Sequence, residues 1–258
     1  MSLARVDDLG DRLVVVNLNS TRRGALTPDL YEAIHDAVRL AAEPRFRSVI
    51  LTAEGGFFCA GGDLNVLITR RDLPPAERRG KIDLLHGLIR AIRSCPVPVI
   101  AAVEGGAAGA GASLALACDL IVAAAGSKFT ASYVRAGLVP DGGLTSALSR
   151  MLPRPLAMEM CLLARPVTAE RMAQLGAINA AVPAGAALEE AQALADELAR
   201  GPRESQGVIR ELVANAYEAS EEAQLDAERD AMALAQGGPE AAEGIASFLE
   251  KRKPNFSR

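Results

Sequence analysis

The chain has 258 residues, half of them hydrophobic, with 23% charged, only 3% aromatic and a formal net charge of -4. Such a length can bury a substantial core, while the scarcity of aromatic rings and the lack of a long basic run argue against single-strand or phosphate-backbone binding. Four widely spaced cysteines form neither a Cys-x-x-Cys pair nor a dense disulfide framework, and the two histidines lie far apart, so no metal centre is expected.

No apolar run reaches the length of a membrane span, and the start MSLARVDDLGDR lacks the apolar core of a signal peptide. A cytoplasmic protein is expected, with neither membrane nor nucleic acid as partner.

Residues 3–18 read as a β-hairpin turning at Asp8-Leu9-Gly10-Asp11. After a loop carrying Arg22 and Arg23, Thr27 and Pro28 predict a helix to about residue 42. Threonine can cap the first free amides, and proline fits the first helical position. Its apolar stripe includes Leu30, Ile34, Ala37 and Ala41, while His35 is read as a surface residue. Residues 48–53, SVILTA, predict a short buried strand running into a glycine-rich turn at Gly55, Gly56, Gly61 and Gly62. The charged stretch over 65–80, with Pro74 and Pro75, predicts an irregular covering segment. Ile82, Leu85, Ile89 and Ile92 mark a helix over 81–93, with His86 on it as a partly buried helix residue rather than a catalytic one.

The stretch over 97–125 organises the chain. Two apolar runs, 97–103 and 119–124, read as buried strands, joined through Gly105, Gly106, Gly109 and Gly111 and a helix start at 112–117. Amides at a bare strand-turn-helix junction point outward with the positive end of the helix dipole behind them and can stabilise an anion. The same glycines would equally serve tight helix-to-strand packing, and at this level both readings stand. Two bare turns after two parallel strands share one sheet edge, where open α/β sheets bind ligands.

A short strand over 128–130 and a helical turn over 131–136 lead to a third glycine-rich loop, 137–143, which carries Asp141. Helices are predicted over 144–152 and 155–164, then a short one capped by Thr168 and ending at Gly176, then an apolar run over 178–182. From residue 188 the pattern is helical, broken at Gly201-Pro202, Gly237-Gly238-Pro239 and Pro254. The alternation predicts an α/β core over 1–195 and a helical extension over 196–258.

Four motifs occur in order: FFCAGGDL over 57–64, VIAAVEGGAAGAGASLALACD over 99–119, AGLVPDGG over 136–143 and EGIASFLEKRKPNF over 243–256. Together they resemble the crotonase superfamily, the enoyl-CoA hydratases and isomerases, across essentially the whole chain. The resemblance implies a crotonase-like spiral of ββα turns with a helical C-terminal trimerisation region, assembled as a homotrimer or a hexamer made as a dimer of trimers. It implies acyl-CoA thioester substrates, with no cofactor beyond the coenzyme A that is part of the substrate. It also implies an enolate held by the backbone N–H groups of Gly62 and Ala110, where small residues let a carbonyl oxygen come within hydrogen-bond distance. By motif position Ala60, Gly61, Asp63, Leu64 and Gly109 belong to the same binding turns. Arg22 is placed to meet CoA phosphates, with simple solvation as its alternative. Phe248 and Lys251 match a segment that reaches CoA from a neighbouring subunit in the family, or else serve helix packing and solvation.

The family's hydratases carry two glutamates, and their positions hold Ser113 and Tyr133 here. Neither activates water as a carboxylate pair does. Asp141 falls where several branches place a single catalytic acid: some enoyl-CoA isomerases, the ring-epoxide isomerases of phenylacetyl-CoA breakdown, and the aryl-CoA dehalogenases. One carboxylate suits isomerisation, because one base can remove a proton and return it to another carbon of the same dienolate. Pro-Asp-Gly-Gly is also strong turn chemistry, but with the other two acids missing, catalysis is the preferred reading. An enoyl-CoA isomerase using Asp141 is therefore expected. Hydration, dehalogenation with His86 at that branch's histidine position, thioester hydrolysis, and CoA-thioester binding without turnover are the alternatives. Gly24 and Glu104 replace asparagines usual in the family, with a changed loop beside the nucleotide and a changed local hydrogen bond as the expected effects.

Overall fold

The computed structural model describes residues 2–256. In chain order the strands are β1 (Ala4–Asp8), β2 (Arg12–Asn17), β3 (Ser48–Ala53), β4 (Val99–Val103), β5 (Gly106–Ala108), β6 (Leu120–Ala124), β7 (Lys128–Thr130), β8 (Val167–Thr168) and β9 (Ala180–Val182). The helices are α1 (Pro28–Leu40), α2 (Leu64–Ile68), α3 (Pro75–Arg93), α4 (Ala110–Ala115), α5 (Leu144–Met151), α6 (Arg154–Leu163), α7 (Ala169–Gln174), α8 (Ala187–Ala199), α9 (Arg203–Asn215), α10 (Glu221–Gln236) and α11 (Pro239–Leu249).

Residues of alternating direction along β2 and β3 explain why the main sheet is apolar throughout. Leu13, Val15, Val49 and Leu51 face a core that includes Leu30 and Ile34 of α1 and Leu88 and Ile92 of α3. Val14, Val16 and Ile50 face the other way, with Ala187, Ala191 and Ala195 of α8. A sheet covered on both faces favours continuous β-branched runs over alternation with polar residues. Its order is β1-β2-β3-β4-β6-β9, with β1 antiparallel to β2 and the remaining pairs parallel. A smaller sheet, β5-β7-β8, stands beside it.

The predicted hairpin and the helix after Thr27 form as expected, the Thr27 hydroxyl accepting from the Leu30 N–H at 3.3 Å. The segment over 65–80 differs from expectation: it is largely helical. Asp63 caps α2 by accepting from the Asn65 N–H at 2.9 Å, and Pro74 and Pro75 occupy the N-cap and first position of α3. Proline is tolerated there because that amide has no intrahelical partner, so these prolines start a helix instead of interrupting one. The glycine stretch after β4 also differs, since Gly106–Ala108 pairs in parallel with Lys128–Thr130.

Residue 195, where the sequence pattern divides core from extension, lies inside α8 and is fully buried against the sheet. Helix α9 is tied to the core by Arg210, whose guanidinium reaches Asp119 and the Ile92 carbonyl at 2.5 Å each and also the Cys95 carbonyl. Burial pushes the Asp119 carboxyl up, against the opposing pull of Arg210. A cavity of about 970 Å³ opens beside this anchor, among residues of α3, α5 and α9. It includes Pro96 and Asp119, at the strands' N-terminal end. Helices α9, α10 and α11 bury only Ser247 among their described residues. No helix of the described residues is long and apolar enough to cross a membrane.

Candidate active site

The loops after β3 and β4 leave the C-terminal ends of neighbouring parallel strands and are bonded to each other. The Phe58 N–H donates to the Glu104 carbonyl and the Ala108 N–H to the Cys59 carbonyl, each at 2.9 Å, and Cys59 pairs with Ala107 as an isolated parallel bridge. Glycine permits this contact. A Cβ on Gly111 would lie 2.1 Å from the Cys59 carbonyl oxygen. One on Gly61, whose φ is +89°, would lie 2.7 Å from the Ala108 oxygen and 2.9 Å from the Ala110 nitrogen.

This close approach sets the amide of Gly62 near that of Ala110, the first residue of α4. Neither N–H donates to a protein acceptor among the described residues. Gly62 is exposed and Ala110 buried. Two main-chain donors without internal partners, on glycine and alanine, suit an oxygen that gains negative charge during reaction.

A second group of atoms stands beside this pair. Gly109, with φ of +53°, has its missing Cβ position 3.1 Å from the Ser132 hydroxyl and 3.9 Å from the Tyr133 ring. The Tyr133 hydroxyl donates to Oδ1 of Asp141 at 2.7 Å and lies 3.3 Å from the Ser113 hydroxyl. Ser113 in turn donates to the Asp141 main-chain carbonyl at 2.9 Å. The turn after Asp141 closes over α4 because residue 142 is glycine: a Cβ there, at φ of +60°, would lie 2.9 Å from Cβ of Ser113 and 3.3 Å from Leu85. The three positions singled out for acid chemistry, Ser113, Tyr133 and Asp141, therefore meet in one cluster that contains a single carboxylate. Burial pushes the Tyr133 phenol up, so it remains a neutral donor at working pH. Tyr31 of α1 is pushed up to about 12, first by burial and then by the charge of Asp141.

The remaining sequence candidates fall in three places. Ala60 donates its N–H to the Arg23 carbonyl at 3.0 Å, and the Gly61 carbonyl accepts from Leu26 at 2.9 Å, so both hold the first loop in shape. Arg22 is exposed and ion-paired with Asp63, which caps α2, and Leu64 is an exposed first residue of that helix. Phe248 lies in the last turn of α11 and Lys251 just past its end, both exposed, and the structure does not bring them to the loops through any hydrogen bond or ion pair among the described residues. His86 is half-buried, with Nε2 shielded and without a hydrogen-bond partner among the described residues.

Both departures from the asparagine pattern have local explanations. Residue 24 is glycine because a Cβ there would lie 2.5 Å from the Phe58 carbonyl oxygen. Glu104 uses its carboxylate to accept from the Gly185 and Ala187 amides at 3.2 and 3.0 Å, at the start of α8. Sequence reading missed Tyr31, Leu67 and Leu85 as neighbours of the site. Leu67 lies 3.3 Å from where a Gly62 Cβ would be. The apolar periodicity of α1 and α3 was the one signal pointing to Tyr31 and Leu85, and it reads equally as core. Among the described residues no group of three His, Cys, Asp or Glu side chains is placed to hold a metal ion.

Comparison with known proteins matches residues 10–258 to the model for the enoyl-CoA hydratase/isomerase family. The 1,2-epoxyphenylacetyl-CoA isomerase of Escherichia coli (strain K12) is 37% identical over 212 residues, covering 82% of this chain and 81% of that protein. The 2,3-dehydroadipyl-CoA hydratase of the same strain is 30% identical over 244 residues, covering 95% and 94%. Among solved structures, an enoyl-CoA hydratase from Polaromonas sp. JS666 superposes with a TM-score of 0.94 at 42% identity, covering 98% of each chain.

Proposed function

The chain belongs to the enoyl-CoA hydratase/isomerase family and has the crotonase fold, and from that premise we propose that it isomerises the double bond of an enoyl-CoA thioester. The Gly62 and Ala110 amides hold the thioester oxygen as the enolate forms. Asp141 removes a proton from C2 of a 3-enoyl-CoA, the electron pair moves into the thioester carbonyl, and the same carboxyl returns the proton at C4 as the C2–C3 double bond forms. The carboxylate begins and ends ionised, so one acid suffices and no water is consumed.

The observation that carries this reading is the composition of the cluster: one carboxylate and two hydroxyls, Tyr133 and Ser113, where the family's hydration chemistry calls for two carboxylates. The relatives include both a named isomerase and named hydratases, so the test offers both substrates. With 3-enoyl-CoA, purified protein is expected to produce the absorbance of the conjugated thioester, and Asp141→Asn to lose it. Appreciable hydration of 2-enoyl-CoA by the wild type would overturn the assignment.

The accompanying assembly is a homotrimer or a dimer of trimers. Helices α9, α10 and α11 expose Ile209, Val213, Leu225, Met232, Phe248 and Leu249 and offer an apolar surface for further copies. In such an assembly Phe248 and Lys251 would meet the CoA of a neighbouring site, with Arg22 contacting its phosphates from the first loop. Sedimentation of the purified protein as a monomer would exclude it.

A further inference from the structure

The acid cluster contains a hydrogen-bond arrangement that the reaction above does not use. We propose that Tyr133 is a positioning residue for Asp141, its hydroxyl occupying Oδ1 so that Oδ2 alone carries the proton between the two carbons of the substrate. This inference rests on Asp141 being the acid and base of an isomerase.

The Tyr133 hydroxyl carries one proton, with Oδ1 of Asp141 at 2.7 Å and the Ser113 oxygen at 3.3 Å as its acceptors, and the shorter contact is to Oδ1. The shortest contact of the Ser113 proton is the Asp141 main-chain carbonyl at 2.9 Å, ahead of the phenolic oxygen at 3.3 Å and the Gly109 carbonyl at 3.5 Å. With each proton on its shortest contact, Tyr133 donates to Oδ1. Oδ1 has a second lone pair, but a proton there would turn the phenol's acceptor from a carboxylate oxygen into the weaker hydroxyl oxygen of a carboxylic acid and so weaken the 2.7 Å bond. Loading Oδ2 leaves the bond intact. When the C2–H bond breaks, its proton goes to Oδ2 and its electron pair to the enolate; when the C4–H bond forms, the proton leaves Oδ2 and the carboxylate is restored.

The surroundings support the same role. Ser113 holds the main chain of Asp141 while Tyr133 holds its side chain, so the residue is gripped at both ends. The Tyr133 ring lies against Gly109, whose successor Ala110 supplies an oxyanion amide. One side chain therefore sets the proton carrier in register with the oxygen-binding pair. Misplacing a reacting group by about 1 Å can lower a rate about a hundredfold.

Wild type, Tyr133→Phe, Asp141→Asn and the double variant are assayed for conversion of 3-enoyl-CoA to the conjugated thioester in H2O and in D2O. Tyr133→Phe is expected to leave KM within about twofold and to lower kcat about ten- to a hundredfold. In the Asp141→Asn background it is expected to add nothing, because it acts through that carboxylate. Solvent deuterium at C4 of the product should rise in Tyr133→Phe, since a carboxyl no longer held on one side exchanges with water before returning its proton. An unchanged kcat, or losses that multiply in the double variant, overturns the role of Tyr133 while leaving the isomerase reading standing. A wild type without isomerase activity, or an active Asp141→Asn, removes both. Should Tyr133→Phe fail to fold, 3-fluorotyrosine at position 133 preserves the contact while donating more strongly. It is expected to change kcat at constant KM, and wild-type kinetics there would refute the inference.

Discussion

The glycine loops that carry Gly62 and Ala110 and the acid cluster stand side by side yet are made of different materials. The first is main chain: two N–H groups brought together because residues 61 and 111 have no side chain to keep the strands' loops apart. The second is side chain: a tyrosine, a serine and an aspartate from three separate segments, joined by two hydroxyls. A main-chain device is indifferent to which small residue carries the amide, but at residues 61 and 111 it has no room for an added methyl. A side-chain device can change its chemistry by one substitution while the frame stays put. The chain is similar over most of its length both to a protein named as an isomerase and to one named as a hydratase.

The comparison breaks most severely at Gly111→Ala. The new methyl would lie 2.1 Å from the Cys59 carbonyl, a backbone atom that can yield only by separating the loops. We expect a loss of about 3 kcal/mol or more from overpacking, visible in calorimetry as a fall in Tm on the order of 10 °C, together with loss of activity. Asp141→Asn should have the opposite signature, lowering isomerisation by about 10² to 10⁴ with Tm nearly unchanged. Ala110→Pro sharpens the contrast, because the substitution removes one N–H at a helical first position that accepts proline. Steady-state kinetics should show a kcat loss of about 10² to 10³, as for loss of one oxyanion donor, in a protein with its fold retained. A folded Ala110→Pro of normal activity would mean that this amide does not contact the reacting oxygen. The smallest effect is expected at Glu104→Ala, where loss of the cap on α8 costs about 1 kcal/mol in denaturant unfolding.

How far the sequence could be read follows the same division. The parallel strands stood out because both faces are buried, so Val49, Ile50, Leu51 and Val99 to Val103 form unbroken apolar runs. The glycine loops announced themselves by what they lack, and the geometry at Gly61 and Gly111 explains why. Strand β5 escaped notice because Gly-Ala-Ala has no β-branched residue and is held by its pairing with Lys128–Thr130 and by the bridge to Cys59. Helix α2 escaped because it buries none of its residues, leaving no periodic stripe. Within the cluster, position alone identified Ser113, Tyr133 and Asp141 as replacements or remnants of an acid set. Nothing in their order could show that the phenol donates to the carboxylate, since that bond depends on how Gly142 lets the turn fold back over α4.

Glu104 gives the site a place in time as well as in space. It begins the loop after β4, yet its carboxylate is satisfied by amides of residues 185 and 187. A chain growing from the ribosome would therefore hold the strands, both loops and the acid cluster well before this clamp could close. Until α8 reaches the sheet, Glu104 stays hydrated and the inner face formed by Val14, Ile50 and Ile100 remains uncovered. The frame of the candidate site is thus clamped by a helix that carries none of the site's residues, and a truncated chain ending before residue 185 would bear every group of the acid cluster without that clamp.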